Sequence, residues 1–404
     1  MILKTHIEQV VLNQSRQNIS KKDEIQRENI DVVHPVDGFA SIITGLRRCG
    51  KSTLMQQVAR RYPKKETLSL NFEDINLIGF DADDFKRLYA FINDTGCKVL
   101  FFDEIQIVDG WEVFVHQLLR EGYTVFVTGS NASMLSVELG TNLTGRHIST
   151  EMFPFSYSEY LTYLKKKSNK SCFMQYLADG GMPEYLASKD KRILLSLLDD
   201  ILIRDIAIRH GIRNVDPLRK LTSYLLTNIA KPYTANRLTS VADDIAVSSV
   251  LEYIAYLRDA YLIDSVGQYA TNVRATQRNP KKVYAIDSGI SNAVSLSQTD
   301  DFGRLLENHV FLNLRKKHKG HIFYYQGNGE CDFVVTDSHN KPSSLYQVCL
   351  ELTDENMQRE IGGLREAMNQ LHLTSGTIVT LSDEDHLDVP EGTIEIVKAY
   401  DRTF

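Results

Sequence analysis

Residues 41–52 read Ser-Ile-Ile-Thr-Gly-Leu-Arg-Arg-Cys-Gly-Lys-Ser, and this stretch decides the fold class. Its second part, 45–52, matches the pattern G-x-x-x-x-G-K-[ST] without a mismatch. The pattern follows a strand-like apolar run at 41–44 and opens a helical stretch at 53–61. Glycines let backbone N–H groups close around phosphate oxygens, and a helix N-terminus adds positive potential. The segment therefore predicts a phosphate-binding loop between a strand and a helix.

The residue types of the loop also predict what it binds. Lys51 would reach the β- and γ-phosphates of a nucleoside triphosphate, and the Ser52 hydroxyl would ligate Mg²⁺. We therefore expect ATP and Mg²⁺ as cofactors. The residues expected to surround the nucleotide are Gly45, Arg47, Arg48, Cys49, Gly50, Lys51, Ser52 and Thr53.

A second motif follows further along the chain, where the apolar run 99–102 leads into Asp103 and Glu104. Ligands of open α/β sheets bind at the carboxyl ends of the strands, which is where this acid pair falls. We expect Asp103 to hold Mg²⁺ through water and Glu104 to polarise the attacking water as general base. The N/T-K-x-D signature that reads a guanine base does not occur after this run, which disfavours a guanine-nucleotide switch.

Two further side chains are weaker candidates for the same site. Asn131 ends the stretch Thr-Gly-Ser-Asn at 128–131, where it would contact the γ-phosphate or position the water; an ordinary Gly-Ser turn also explains this stretch. Arg146 directly precedes another apolar run, and a guanidinium can neutralise charge that develops on the γ-phosphate. It would act on its own nucleotide or on that of a neighbouring subunit, or it is simply an exposed arginine at the start of a strand.

The first half of the chain alternates short apolar runs with helical stretches, which predicts an α/β fold with a parallel sheet. These runs lie at 41–44, 67–71, 98–102, 124–128 and 147–151. A chain of 404 residues exceeds what a single hydrophobic core usually organises, so we expect several domains.

The composition limits the classes of protein to consider. Hydrophobic residues make up 43% of the chain and no apolar run approaches the roughly 20 residues that span a bilayer. The five cysteines are scattered without a C-x-x-C pair and are expected to be reduced thiols. Together with a polar N-terminus, these features predict a cytoplasmic protein without a membrane partner. The net charge of −6 argues against a globally basic nucleic-acid binder.

The motifs resemble those of the prokaryotic AAA-like ATPases that join an N-terminal ATPase core to a C-terminal domain of unknown function. The segments that carry the likeness are LRRCGKST (46–53), FFDEIQ (101–106) with Trp111 after it, TGSNASML (128–135), LTGR (143–146), FPFSYSEYL (153–161), GGMPEYL (180–186), LLENHVFLNL (305–314) and ECDFVV (330–335). The resemblance implies an additional-strand P-loop core with sheet order 5-1-4-3-2, a helical lid, a winged-helix segment and a last domain that looks like a PD-(D/E)xK nuclease fold.

This reading divides the chain into five parts. They are an N-terminal helical segment at 1–38, the AAA-like ATPase core at 39–151, a helical lid at 152–212, a winged-helix-like domain at 213–287 and a degenerate PD-(D/E)xK-like domain at 288–404. In the winged-helix part, the basic residues Arg274, Arg278, Lys281 and Lys282 would meet nucleic-acid phosphates. Alternatively, this part only packs against the lid or a neighbouring subunit.

The nuclease-like site implied by the resemblance is incomplete. Glu307 and Asp332 are present, but the acid-x-lysine triplet of the next strand reads Gln347-Val348-Cys349, so a carboxylate and the lysine are missing. Lys341 lies nearby in the sequence and could replace the missing lysine, but we disfavour this alternative. The histidines His309, His318 and His321 have no regular ligand spacing and are expected on a solvated face.

The sequence therefore predicts a Mg²⁺-dependent ATPase that couples ATP hydrolysis to conformational change of its C-terminal domains. The alternative is an ATP-gated nucleic-acid-binding protein, with residual nuclease activity at most. ATP is the expected ligand. A homo-oligomer and a DNA or protein client are both compatible with the sequence.

Overall fold

The computed structural model describes residues 2–17, 25–131, 145–270, 279–295, 301–318 and 320–401. The chain forms two compact units. The N-terminal unit comprises Met1–Pro154 with Asp259–Tyr261, and the C-terminal unit comprises Phe155–Arg258 with Leu262–Phe404. No helix within the described ranges is long and apolar enough to cross a membrane.

The described residues of the N-terminal unit form a five-stranded sheet in which all neighbouring strands are parallel. Its strands are β1 (Ala40–Gly45), β2 (Thr67–Asn71), β3 (Val99–Asp103), β4 (Thr124–Gly129) and β5 (His147–Met152). The strand order β2-β3-β4-β1-β5 confirms the expected parallel α/β core and its order. β1 and β3 are buried along their whole length, because helices cover both faces of a parallel sheet.

Helices and short 3₁₀ turns connect these strands. The helices are α1 (Lys4–Gln17), α2 (Lys51–Ala59), α3 (Asp84–Thr95) and α4 (Trp111–Arg120), and the 3₁₀ turns are Glu28–Asp31, Lys64–Glu66, Ile75–Leu77 and Ile105–Ile107. Ile7, Val10 and Val11 of α1 are buried in the same core as Leu68 and Leu70 of β2. The predicted N-terminal helical segment therefore packs onto the sheet of the ATPase core.

The C-terminal unit begins with helices. They are α5 (Tyr157–Leu164), α6 (Lys170–Asp179), α7 (Pro183–Ser188), α8 (Lys191–Asp200), a π-helical segment (Ile201–Ile208), α9 (Asp216–Thr227), α10 (Ala235–Leu238) and α11 (Val247–Asp259), whose last residue belongs to the N-terminal unit. Later helices are α12 (Ser288–Val294), α13 (Phe302–Lys317) and α14 (Met357–Leu371).

A single nine-stranded sheet runs through the described part of the C-terminal unit, in the order β13-β14-β12-β11-β10-β9-β7-β8-β6. Its strands are β6 (Pro232–Tyr233), β7 (Ile263–Gln268), β8 (Lys281–Ala285), β9 (Ile322–Gln326), β10 (Glu330–Thr336), β11 (Pro342–Val348), β12 (Ser375–Thr380), β13 (Asp385–Val389) and β14 (Gly392–Lys398). β7 pairs with β9 through Gly267 and Phe323, so the sheet crosses the predicted boundary at 287/288. The division into five domains otherwise stays a prediction.

A close backbone approach explains the double glycine of the GGMPEYL segment. The Asp287 carboxylate caps α12 and accepts hydrogen bonds from the Gly181 N–H at 2.7 Å and the Ile290 N–H at 3.0 Å. A Cβ at Gly181 would lie 2.3 Å from the Phe155 carbonyl oxygen, and one at Gly180, where φ is +70°, would lie 2.5 Å from the Asp287 carboxylate. Only glycine fits at either position.

Candidate functional site

The phosphate loop lies at the carboxyl edge of the parallel sheet, between β1 and α2. Gly45 ends β1 with φ +145°, and a Cβ there would lie 2.0 Å from the Met152 carbonyl oxygen. Gly50 has φ +104° and precedes the first residue of α2. These left-handed conformations favour glycine. The predicted strand, loop and helix are therefore present where the sequence placed them.

Arg27 stabilises the phosphate loop through its side chain. This residue was not predicted from the sequence. Its side chain is buried and donates hydrogen bonds to the carbonyl oxygens of Cys49 and Phe153, both at 2.8 Å. The Cys49 thiol is also buried and lies 3.6 Å from the Met152 carbonyl oxygen. Burial raises the pKa of this thiol, so Cys49 is an inert part of the loop.

Lys51 is buried beside the acid pair. Its ammonium donates to the carbonyl oxygens of Gly45 and Leu46, both at 3.2 Å, and its Nζ lies 3.5 Å from Glu104 Oε1. Burial disfavours the ammonium, but the charges of the nearby Glu104 and Asp103 outweigh it and hold the pKa of Lys51 above its ordinary value. The structure thus brings Lys51 of the first motif next to the carboxylates of the second.

Asp103 and Ser52 lie together where Mg²⁺ is expected. Asp103 accepts hydrogen bonds from the hydroxyls of Ser52 and Thr128. Burial and the neighbouring Glu104 charge raise the pKa of Asp103. Mg²⁺ in proteins is held by one or two protein oxygens together with phosphates and waters, and Ser52 with Asp103 supplies such a pair. The residues present therefore fit the ion.

The Thr128 hydroxyl forms hydrogen bonds with both residues of the acid pair, Asp103 and Glu104. This bridging role was not predicted from the sequence. Its hydroxyl donates to Asp103 and accepts a hydrogen bond from the Glu104 N–H at 3.0 Å. It stands on β4, next to β3 in the sheet, so the contact depends on strand pairing and not on spacing in the chain. The only sequence signal was its place in the Thr-Gly-Ser-Asn stretch.

Glu104 has a strained backbone and a second partner. Its φ of +52° lies in the left-handed region, which costs energy for a residue with a side chain. The Gln106 amide donates to its other carboxylate oxygen. The Gln106 side-chain oxygen is buried without a hydrogen-bond partner among the described residues. Gln106 was also missed from the sequence, although it stands two residues after Glu104 in the quoted FFDEIQ segment.

The structure also describes the other loop residues expected to surround the nucleotide. Arg47 donates to Glu73 at 3.0 Å, and Arg48 has φ +59°. Thr53 lies in the first turn of α2.

Asn131 and Arg146 lie at opposite ends of the parallel strands, Asn131 at the carboxyl ends and Arg146 at the amino ends. Asn131 is buried and follows β4 at the edge that carries the loop, because Thr44 pairs with Gly129. Arg146 is exposed and precedes β5, beside Ala40 at the beginning of β1. The strand between Ala40 and the loop spans roughly 17 Å. Arg146 therefore does not reach the phosphate loop of its own chain.

The residues of the implied nuclease-like site are partly brought together in the C-terminal unit. Glu307 and Asp332 lie around the ammonium of Lys282, and the Gln347 side chain accepts from the Asp332 N–H at 3.1 Å. The Cys349 thiol is buried in an apolar cluster that includes Leu364 and Ile378, and burial raises its pKa to about 12. It takes no part in the acidic cluster.

Two expectations about this unit were wrong. Lys282 is buried among carboxylates and is not available to nucleic-acid phosphates. His309 is not on a solvated face but is buried against Phe173, and this burial lowers its pKa to about 3. Lys341, which was disfavoured as a substitute for the missing lysine, is exposed beside a turn at Asp337. Arg274 and Arg278 lie outside the described residues.

A metal site built from protein side chains alone is not present in the described ranges, where no group of three or more His, Cys, Asp or Glu side chains is arranged to hold an ion. All five cysteines are free thiols.

Comparison with known proteins agrees with this geometry. Residues 38–161 match the family described as AAA domain, and residues 170–301 match a domain of unknown function, DUF8612. Together with the loop geometry, these matches define the class: an AAA-type P-loop protein with a nucleotide-binding core. The chain belongs to the same family as the uncharacterized protein MJ1544 of Methanocaldococcus jannaschii, with which it is 33% identical over 96% of this chain and 93% of the relative.

More distant likenesses are weaker. An uncharacterized protein of Haemophilus influenzae is 28% identical over 69% of this chain and 75% of its own length. Among solved structures, AMPPCP-bound DnaA from Aquifex aeolicus is 15% identical with a TM-score of 0.27 over 57% of this chain and 85% of that chain. The Hsp104–ADP complex of S. cerevisiae is 14% identical with a TM-score of 0.33 over 60% of this chain and 41% of that chain. Both TM-scores are low, and neither likeness supports a conclusion about this chain.

Proposed function

We propose that this chain hydrolyses ATP to ADP and phosphate with the help of Mg²⁺. The observation that carries the proposal is the meeting of Lys51, Ser52, Asp103 and Glu104 at one edge of the sheet, next to a loop whose glycines leave room for phosphates. Lys51 would bind the β- and γ-phosphates, and Ser52 with Asp103 would hold Mg²⁺. The ion would supply charge neutralisation on the phosphate oxygens when it is bound.

Glu104 is the proposed general base. Its Oε1 lies 3.5 Å from Lys51 Nζ, and its other carboxylate oxygen accepts a hydrogen bond from Gln106. A triphosphate offers Lys51 charged oxygens, which are stronger partners than the loop carbonyls that it contacts here. Lys51 would then turn toward the phosphates and leave Glu104 to accept a proton from the attacking water. Asn131, buried at the same edge, is proposed to position this water or contact the γ-phosphate.

Arg146 is proposed to act on a neighbouring subunit. Its place at the far edge of the sheet prevents action on its own nucleotide, while its exposure leaves it accessible to a second copy of the chain. A guanidinium supplied in this way would stabilise the charge of the transition state. The proposal implies a homo-oligomer.

Coupling of hydrolysis to the C-terminal domains is part of the proposal. Asp259–Tyr261 belong to the N-terminal unit, and the Tyr261 hydroxyl donates to the Thr44 hydroxyl at 2.8 Å, one residue before the loop begins. From Tyr261 the chain continues into β7 at Ile263. A rearrangement of the loop on hydrolysis would thus have a short covalent route into the rest of the chain.

The alternative, an ATP-gated nucleic-acid-binding protein, receives less support. Of the four basic residues expected to contact nucleic-acid phosphates, Lys282 is buried. A DNA or protein client and a cytoplasmic location stay predictions.

ATP turnover in the presence of Mg²⁺ tests the proposal. We expect the parent chain to release phosphate and Lys51→Ala to lose most of this activity, because the variant lacks the charge that binds the β- and γ-phosphates. Lys64→Ala, at an exposed lysine of the same unit, is the matched control and should keep the parent rate. Equal turnover by Lys51→Ala and Lys64→Ala would refute the assignment.

A further inference from the structure

A buried lysine stands at the centre of an acidic cluster in the C-terminal unit. Lys282 of β8 is only 4% exposed. Its Nζ lies 3.0 Å from Glu307 of α13, 2.9 Å from Asp332 of β10 and 2.6 Å from Glu330 at the start of β10. One ammonium thus contacts three carboxyl groups that come from two different elements. Burial and the Asp332 charge raise the pKa of Glu307 to about 8.

Further hydrogen bonds hold Glu307 and Asp332 in place. The Tyr284 hydroxyl donates to Glu307 at 2.7 Å, and the Val348 N–H donates to the second Asp332 oxygen at 3.0 Å. Gln347 donates to Glu360 at 2.6 Å. Burial opposes the ammonium, but the surrounding carboxylates, Asp332 foremost, hold the pKa of Lys282 well above its ordinary value. These carboxyl groups therefore favour the charged form of Lys282.

The cluster faces a cavity and is not sealed inside the core. This cavity has a volume of about 740 Å³, and Lys282, Glu307, Glu330 and Asp332 line its wall together with Arg304 and Arg359. A dissolved ion could therefore reach the carboxylates if nothing else neutralised them. The Lys282 ammonium already occupies the position between these carboxyl groups.

An ammonium and a divalent ion cannot share this position. Mg²⁺ binds oxygens at about 2.0–2.1 Å, so the carboxylates that now surround Nζ would have to move inward by roughly 0.5–1 Å around an ion. That ion would occupy the space of the ammonium, and the added positive charge would repel Lys282. The residues present therefore do not fit the metal ion that a nuclease-like site implies.

We propose that the Lys282 ammonium is a tethered cation that takes the place of a divalent metal ion, so that the parent cavity binds no metal and removal of the lysine charge creates a site for Mg²⁺ or Mn²⁺. The inference is independent of the proposed ATPase activity, because every residue that carries it lies in the C-terminal unit. It implies that this cavity does not support metal-dependent cleavage of phosphodiesters.

Mn²⁺ binding without nucleotide tests the proposal on the full chain. Free Mn²⁺ is measured by electron paramagnetic resonance for the parent, Lys282→Met and Lys281→Met, the last being the matched control at the neighbouring lysine. We expect the parent and Lys281→Met to bind Mn²⁺ equally, with only the background of the phosphate loop. Lys282→Met should bind an additional ion, and this gain should disappear in Lys282→Met with Asp332→Asn.

Thermal unfolding provides a second readout, because a ligand that binds only the folded state raises its melting temperature. Lys282→Met leaves three carboxylates without their cation, so its melting temperature should fall without metal and recover when Mn²⁺ is added. The melting temperatures of the parent and of Lys281→Met should not respond. A folded Lys282→Met that gains no ion would overturn the proposal.

Mn²⁺ binding by the parent tests the proposal even if Lys282→Met does not fold. Glu330 is 44% exposed at its side chain, so Glu330→Gln is a mild change at the rim of the cluster. We expect the parent and Glu330→Gln to bind the same amount of Mn²⁺. Tighter or additional binding by the parent would show that the cluster holds a metal beside Lys282, and the tethered-cation proposal would be wrong.

Discussion

At the scale of residues, the candidate site divides into side chains that follow from the sequence and side chains that do not. Lys51, Ser52, Asp103 and Glu104 could be predicted because each motif joins a strand to its own loop, and its internal spacing determines the geometry. Their supporting partners come from elsewhere in the chain. Arg27 and Thr128 reach the site only through tertiary packing and strand pairing, which leave no fixed spacing in the sequence.

Thr128 gives the first prediction at this scale. Its hydroxyl is buried and joins Asp103 to the backbone of Glu104, so Thr128→Val would leave the Glu104 N–H without an acceptor. We expect the free energy of unfolding of the N-terminal unit to fall by about 1–3 kcal/mol and ATP turnover to decrease. Urea unfolding followed by fluorescence of Trp111, the single tryptophan of the chain, measures the first effect.

Thr124→Val, at the other end of the same strand, is the matched control for this prediction. It makes the same chemical change away from the acid pair and should alter neither quantity appreciably. If both variants unfolded at the same urea concentration as the parent, the bridging role of Thr128 would be unsupported.

At the scale of elements, the parallel sheet could be predicted and the second sheet could not. Short apolar runs between helices gave the strands of the first sheet to within a residue or two, whereas the strand order was implied only by the resemblance to the AAA-like ATPases. In the C-terminal unit, β7 pairs with β9 although more than fifty residues, among them a strand and two helices, separate them. Apolar patterning indicates where such strands lie but not which of them pair, so a boundary was expected at 287/288.

At this scale, we predict opposite changes in stability when Gly181 and Gly362 are replaced by alanine. In Gly181→Ala, the new Cβ would lie 2.3 Å from the Phe155 carbonyl oxygen, so the backbone must shift and we expect a loss of about 1–3 kcal/mol. Gly362 lies inside α14 with open space around it, and Gly362→Ala should stabilise the chain by about 0.5–1 kcal/mol.

Thermal unfolding followed by circular dichroism distinguishes the two glycine variants. The melting temperature should fall for Gly181→Ala and rise slightly for Gly362→Ala. A stable Gly181→Ala would mean that the close approach between the GGMPEYL segment and Phe155 is not needed for the fold.

At the scale of the whole molecule, Arg146 links activity to assembly. Because it lies far from its own loop, we expect Arg146→Ala to lower ATP turnover only where subunits associate. Mixing inactive Arg146→Ala chains with inactive Glu104→Gln chains should restore turnover, since each supplies what its neighbour lacks. Arg120→Ala, at an exposed arginine of α4, serves as the control and should behave as the parent.

Light scattering and kinetics over a range of protein concentrations check the same point. Turnover per chain should rise with concentration as the oligomer forms. A monomer with constant turnover, together with no recovery in the mixture, would show that Arg146 has no role in a neighbouring site.

The central claim, that Glu104 activates water for ATP hydrolysis, is tested most directly by following bound ATP in Glu104→Gln. The variant keeps Lys51, Ser52 and Asp103, so it should bind ATP·Mg²⁺ about as tightly as the parent. We expect it to convert bound ATP to ADP on the order of 10²-fold more slowly, because the amide cannot accept the proton. Glu121→Gln, at an exposed glutamate, should match the parent. Hydrolysis by Glu104→Gln at the parent rate would contradict the proposed role of this carboxylate.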